Sequence, residues 1–469
     1  MGKGRGASLG KMVSRFAQGS ALPVMVRATL ENALAPDVLD ALFEREAKRQ
    51  YTRDLLFSDI VNLTIGVVSG SRDSLHDAYQ AMLEEVKVTA ASVYNKVNGM
   101  EPAVSAALLR HTYEQLRPMI TGIDGQLPDL LPGYRLKILD GNHIASTERR
   151  LKVLRRSKAG PLPGQCLVVL DPGLMQAIDV IPCEDGHAQE RSMSEAILAV
   201  VKKGDVWLDD RNFCTTRLLF GIDALRVYFI TRQHASLPCE SLGPRRKRGR
   251  IESGMVFEEK VRVTDPDDPG KTLVLRRVIV VLDKPTRDGD PEIHILTNLP
   301  IGDAPAPRVA ELYRKRWKIE TLFQELEASL QSEVPSLGYP RAALFVFCMA
   351  LVAYNVLSMI KAALRAQYGA DRIEKEVSNH YLASELRATY EGMIIAVPEE
   401  EWVPFQEMTP TQFGAALLGL AASIKLARFR KHPRGPKKPV PPRTRFRNKS
   451  HVSTARLLAA ARKAQKNAP

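Results

Sequence analysis

The segment Ala342 to Ile360, AALFVFCMALVAYNVLSMI, carries no charge and is bounded by Arg341 and Lys361. As a helix it is about 28 Å long, enough to cross a bilayer, and it is apolar on every side. Such a helix has two destinations: hydrocarbon, or the middle of a domain large enough to surround it. It holds Asn355 and Ser358, has no second segment like it, and follows directly on a charged stretch. We therefore expect it to be buried in protein, with no membrane partner. With 469 residues and 45% hydrophobic content the chain has the material to do this. Its length also exceeds what one core usually sustains, so two or three domains are expected.

Charge is distributed unevenly. The chain has 67 Lys+Arg against 53 Asp+Glu, a net of +14. Fifteen of the basic residues and no acidic ones lie between Lys425 and Pro469, so the other 424 residues sum to −1. A neutral body with a basic tail, interleaved with Pro433, Pro436, Pro439, Pro441 and Pro442, points to a polyanion, most often nucleic acid. The five cysteines (166, 183, 214, 239, 348) are odd in number and lack C-x-x-C spacing. That argues against a disulfide framework or zinc cage and fits a reducing cytoplasm. The basic N-terminus is followed by no apolar signal core.

Along the chain, residues 1 to about 130 read as helical. Thr89–Gln115 suggests two helices around Asn98-Gly99, compatible with either a helix-turn-helix or a generic helix pair. From Leu131 short apolar runs bounded by turn residues predict strands at Tyr134–Asp140, Gln165–Leu170, Met175–Ile181, Asp205–Asp209 and Arg226–Thr231. With a helix over Ser192–Lys203 they make a mixed α/β sheet. Ser236 to about Asp290 interrupts it with the strand-like runs Val256–Val263 and Thr272–Leu282, preceded by a basic loop, Arg245, Arg246, Lys247, Arg248, Gly249 and Arg250. Pro291–Asn298 predicts a strand, Arg308–Gln331 one long helix, and His451–Lys466 a C-terminal helix.

Three carboxylates stand out by position. Asp140 is expected to end the first strand, Asp210 the fourth, and Glu320 sits mid-helix. Carboxylates at strand ends, with a third brought across the sheet by a helix, form a plausible cage for two Mg²⁺ ions. Two metals about 3.5–4 Å apart serve phosphoryl transfer. Taken singly, an Asp at a strand end is more often a turn former or helix cap. Tyr313, Arg316 and Glu320 follow at i, i+3 and i+7, on one face of a continuous helix. Asp209, beside Asp210, is its rival for the second position. His143 follows Asp140 closely and reads as structural or DNA-facing.

This arrangement resembles the DDE transposases of bacterial insertion sequences, in particular the insertion-sequence-four family. That family's signature is Tyr-x2-Arg-x3-Glu-x6-Lys. Tyr313, Arg316 and Glu320 match it; LDGN around Asp140, DRNF from Asp210, FITR (229–232) and ILTNLP (295–300) are similar to the family's other blocks. The signature's Lys position holds Glu327, and the insertion contains no Trp, Phe257 being its large aromatic.

The resemblance implies an α/β fold: a ribonuclease H-like catalytic core interrupted by a β-rich insertion, with helical N- and C-terminal regions. The expected layout is a DNA-binding helical region (1–130), core (131–235), insertion (236–290), core with the Glu helix (291–365), helical region (366–424) and basic tail (425–469). It further implies cut-and-paste transposition on double-stranded DNA (terminal inverted repeats and target) by a homodimer in the DNA complex. Mg²⁺, two ions with Mn²⁺ able to substitute, would be held by Asp140, Asp210 and Glu320. Tyr313, Arg316 and the basic loop Arg245–Arg250 would contact DNA, and the protein would be cytoplasmic and nucleoid-associated. A catalytically inactive descendant and a structure-selective nuclease are the alternatives.

Overall fold

A computed structural model of the chain describes residues 10–50, 52, 54–144, 151–155, 159–286, 289–432 and 450–467. The central part of the basic tail, 433–449, lies outside the described residues. The fold is mixed α/β, with many helices around a central mixed sheet.

The strands are β1 (Arg135–Ile144), β2 (Gly160–Leu162), β3 (Gly164–Asp171), β4 (Gln176–Cys183), β5 (Asp205–Asp209) and β6 (Tyr228–Arg232). They continue with β7 (Glu240–Ser241), β8 (Arg246–Ile251), β9 (Gly254–Thr264), β10 (Thr272–Leu282), β11 (Glu292–Thr297) and β12 (His451–Ser453). Ten of them form one sheet in the order β4-β3-β1-β5-β6-β11-β10-β9-β7, with β8 also on β9. β1, β5 and β6 run parallel, while β3 and β4 run antiparallel to their neighbours. Leu167–Leu170 of β3 are buried on both faces, as a strand covered on both sides requires. The inserted strands β9 and β10 extend this same sheet through β11.

Two strand boundaries differ from expectation. Asp140 does not end β1: the strand runs on to Ile144, because β3 pairs it from Ile138 through Ile144. On its other edge β1 pairs with β5 only as far as Ile138↔Leu208, so from Leu139 onward that edge is not paired to β5. The basic segment is also not a loop. Arg246–Ile251 is strand β8, held by antiparallel pairing to Gly254–Glu258 of β9.

The apolar segment lies inside helix Pro340–Tyr368, and its most apolar stretch is wholly buried. Helices Ala21–Ala33, Phe57–Ser69, Pro102–Gly122 and Pro410–Ala422 surround it together with β4. Its polar residues explain themselves there. Asn355 donates from Nδ2 to the Ala177 carbonyl (2.7 Å) and accepts the Ala177 N–H at Oδ1 (2.8 Å), so one amide side chain closes the open edge of β4. Ser358 Oγ donates to the Met175 carbonyl (2.6 Å). Unpaired strand groups buried under a helix would otherwise cost several kcal/mol, by the order of magnitude for unsatisfied amides.

The helix pair expected at Thr89–Gln115 is present as Ala90–Gly99 and Pro102–Gly122. The second helix is buried along Val104–Leu109 and packs against both the long helix and β4.

The long helix expected over Arg308–Gln331 is two helices, Ala306–Arg314 and Trp317–Ser329. Between them the backbone bonds shorten to i→i+3: Arg316 N–H to Tyr313 carbonyl and Ile319 N–H to Arg316 carbonyl. Arg316 caps the second helix instead of lying within one continuous face.

The C-terminus returns to the sheet region. β12 pairs in parallel with β2, and helix Thr454–Lys466 follows, with Arg456 paired to Asp185 at 2.7 Å. The first residues of the expected helix are thus a strand.

Candidate active site

Strand alternation decides which carboxylates share a face. Ile138, Val206, Leu208 and Ile230 point into the core beneath the long buried helix, whereas Leu139, Trp207 and Phe229 point into a second core on the other side. Asp140 therefore shares the face of Ile138, and Asp209 the face of Trp207. Asp210, one residue past β5, follows Leu208 on the first face. The helix bearing Arg316 and Glu320 packs on that face as well.

Arg316 joins two of the three predicted residues. Its Nη1 donates to Asp140 Oδ2 at 2.9 Å and its Nη2 to Glu320 Oε1 at 2.8 Å. The Arg316 side chain is only 10% exposed, and its Nε has no hydrogen-bond partner among the described residues. Asp140 Oδ1 accepts the N–H of Gly141 at 2.9 Å. Asp210 caps the 3-10 turn Arg211–Phe213, accepting the N–H of Arg211 at Oδ1 (2.6 Å).

The electrostatics follow from crowding. Burial pushes the Asp140 carboxyl up to about 6; Arg316 and the Gly141 N–H oppose this, and the charges of Asp210 and Glu190 add to it. Asp209 is 1% exposed, and burial raises it further, to about 8, with Thr231 opposing and Asp210 adding. Its Oδ1 lacks a hydrogen-bond partner among the described residues. Strand alternation keeps this carboxyl on the face opposite Asp140. Tyr313 is buried, and its hydroxyl is raised well above the usual phenol value by burial first and the charge of Asp210 next.

Three carboxylates are the donor chemistry a hard divalent cation takes, and Asp210 lies close enough to raise the cost of ionising Asp140. In this structure the positive charge between Asp140 and Glu320 is the guanidinium of Arg316. No group of three or more His, Cys, Asp or Glu among the described residues is gathered as a metal site.

The basic segment divides into two groups. Arg245 pairs with Glu292 (3.0 Å) and lies 4.3 Å from the ring centre of Phe257; Arg248 pairs with Glu258 (2.8 Å) and Arg250 with Asp283. Arg246 and Lys247 are exposed, with no ion pair among the described residues. Glu327 is exposed on its helix.

Sequence reasoning missed a cleft beside the site, on the second-core side of the sheet. A cleft of about 600 Å³ adjoins Asp210, lined by Glu190, Arg191, Arg211, Asn212 and His234 along with His143. Nothing in the local sequence marks Glu190 or His234, which the fold delivers from separate loops. Trp317, next to Arg316, is 65% exposed and had no part in the sequence argument.

Residues 164–356 match the family model described as Transposase DDE domain. The matched stretch contains Asp210, Tyr313, Arg316 and Glu320 and begins downstream of Asp140. A protein of Sinorhizobium fredii (strain NBRC 101917 / NGR234) described as "Putative transposase y4zB" is 24% identical over 194 residues, 40% of this chain. The chain spans about half of that relative's length, 51%. A solved structure, the cryo-EM piggyBac transposase synaptic complex with hairpin DNA, is similar at TM-score 0.38 and 10% identity, over 82% of this chain and 84% of that one.

Proposed function

We propose that this chain is a DNA transposase that cleaves and joins DNA strands in moving an insertion sequence. The match to the transposase DDE domain supports the general reading. The observation that carries the finer one is that Arg316 bonds both Asp140 and Glu320 while the charge of Asp210 acts on Asp140, which brings together three separate parts of the chain. The strand order β4-β3-β1-β5-β6, three strands antiparallel in sequence and then two parallel additions, supports a ribonuclease H-like core.

In this reading Asp140, Asp210 and Glu320 hold Mg²⁺, with Mn²⁺ as a substitute. The cation supplies activation of a water or 3′-hydroxyl and charge stabilisation at the leaving oxygen. With those carboxylates engaged by a cation, the guanidinium of Arg316 would be available to a DNA phosphate, which its planar fork can bind through two N–H groups. Buried Tyr313 keeps its proton and offers a neutral donor beside Asp210. Arg246 and Lys247 track the DNA backbone, and the tail adds sequence-independent attraction. The N-terminal helical region as DNA reader, a dimer bridging two inverted repeats, and a cytoplasmic, nucleoid-associated setting complete the proposal.

A nicking and strand-transfer assay on element-end DNA with Mg²⁺, using Asp140→Asn as control, tests it. Cleavage without joining selects a structure-selective nuclease. Glu327, a carboxylate where the resemblance calls for Lys, favours a second reading, a catalytically inactive DNA-binding descendant; wild-type protein that binds the ends but never cuts them selects that one.

A further inference from the structure

Glu190 opens the 3-10 turn Glu190–Met193 between β4 and helix Ser194–Val200. Its carboxylate lies directly over the Cα of Gly141: a Cβ added to Gly141 would stand 1.8 Å from Oε1 and 2.7 Å from Cδ. Its other oxygen, Oε2, accepts from Asn212 Nδ2 at 3.1 Å. By alternation along β1, Gly141 faces the side of the sheet opposite to Asp140, so Glu190 approaches from the side away from Arg316.

Both contacts fall next to a candidate ligand. The N–H of Gly141 is the donor to Asp140 Oδ1, and the N–H of Arg211, adjacent to Asn212, is the donor to Asp210 Oδ1. One side chain thus abuts Gly141 and accepts from the side chain of Asn212, each at or next to a residue whose N–H bonds a candidate ligand. Gly141 has no need of glycine for a left-handed backbone, since it is absent from the positive-φ residues. A side chain there would displace the Glu190 carboxylate.

We propose that Glu190 is a positioning residue that sets the spacing of Asp140 and Asp210 by holding Gly141 and Asn212. The inference rests on the transposase reading only in taking those aspartates as cation ligands. Outer partners of metal ligands typically change affinity by about 10–100-fold.

Calorimetric titration of Mn²⁺ into the full chain without DNA tests this, with thermal melts run alongside. Glu190→Ala and Gly141→Ala should each weaken Mn²⁺ binding by about tenfold or more. The double variant should be no worse than Glu190→Ala, because the added methyl then meets empty space; such non-additivity marks a shared contact. Glu190→Gln keeps an acceptor for Asn212 and should stay near wild type. If Glu190→Gln is as weak as Glu190→Ala, the charge itself is required and the positioning role is overturned. If both alanine variants bind like wild type while Asp140→Asn does not, the inference fails and the cation site stands. If Asp140→Asn also binds like wild type, the cation-site reading fails and takes the inference with it.

Discussion

Arg316 and Asp140 stand 176 residues apart in the chain, yet Nη1 of one and Oδ2 of the other meet at 2.9 Å with both side chains largely out of solvent. The second arm of the same guanidinium holds Glu320, which is more exposed at 41%. Arg316 is therefore the counter-charge of the site as it stands.

Arg316→Ala should leave Asp140 as a partly buried carboxylate without its partner. Breaking a buried pair in this way costs about 3 kcal/mol as an order of magnitude, somewhat less here for the exposure of Glu320. Adding Asp140→Asn should recover part of the loss, because the charge that lacked a partner is gone. Chemical denaturation of the wild type, both single variants and the double variant measures the coupling.

Asp209 makes stability depend on pH. Its folded-state value of about 8 lies above the ordinary carboxyl value, so between pH 4 and 8 the folded chain keeps a proton that the unfolded chain has released. The stabilisation is full below pH 4 and is lost as pH rises through 8, at a slope of no more than about 1.4 kcal/mol per pH unit. Asp140 adds the same sign only up to about 6. Between pH 6 and 8 the slope should belong mainly to Asp209, and Asp209→Asn should flatten the melting profile there. A slope that survives the substitution rules this assignment out.

The two groups within β8 should behave differently on DNA. Replacing Arg246 and Lys247 with Ala is expected to lower the slope of log K against log salt by about 1.8, for two phosphate contacts on duplex DNA. Arg248→Ala, whose side chain is paired with buried Glu258, should leave that slope nearly unchanged while lowering the melting temperature. Filter binding across a salt series distinguishes them.

Truncation tests the tail, and the structure says where to cut. Leu426 and Phe429 are buried, and the Lys431 N–H bonds the Glu376 carbonyl, so removal from Lys425 would damage the core. A chain ending at His432 should lose most non-specific DNA attraction and show a flatter salt dependence. It should also melt somewhat lower, for loss of the β12–β2 pairing and the Arg456–Asp185 pair. An unchanged salt slope counts against the tail as the DNA-attracting element.

Much of this was legible in one dimension. The apolar run of 342–360 demanded burial, and its Asn355 and Ser358 argued against a membrane span. The short runs around 135, 165, 176, 205 and 228 read as strands because turn residues bound them. The spacing of Tyr313, Arg316 and Glu320 brought those residues together for scrutiny. These signals are local: periodicity, hydropathy and turn chemistry act over a few residues and leave their mark in order.

The remainder depended on register and long-range pairing. The alternation of β5 beneath the helix puts Asp210 and its neighbour Asp209 on opposite faces. Only the unequal pairing of β1, longer with β3 than with β5, opens the space beside Asp140. The basic run became an edge strand because β9 was available to pair with it, and three of its arginines met carboxylates supplied by β9, β11 and the turn after β10. Glu190 over Gly141 had no signature at all. Such contacts join residues far apart in the chain, so sequence alone determined the buried helix, the strand segments and the candidate side chains. Tertiary packing decided which face each candidate occupies and which charge it meets there.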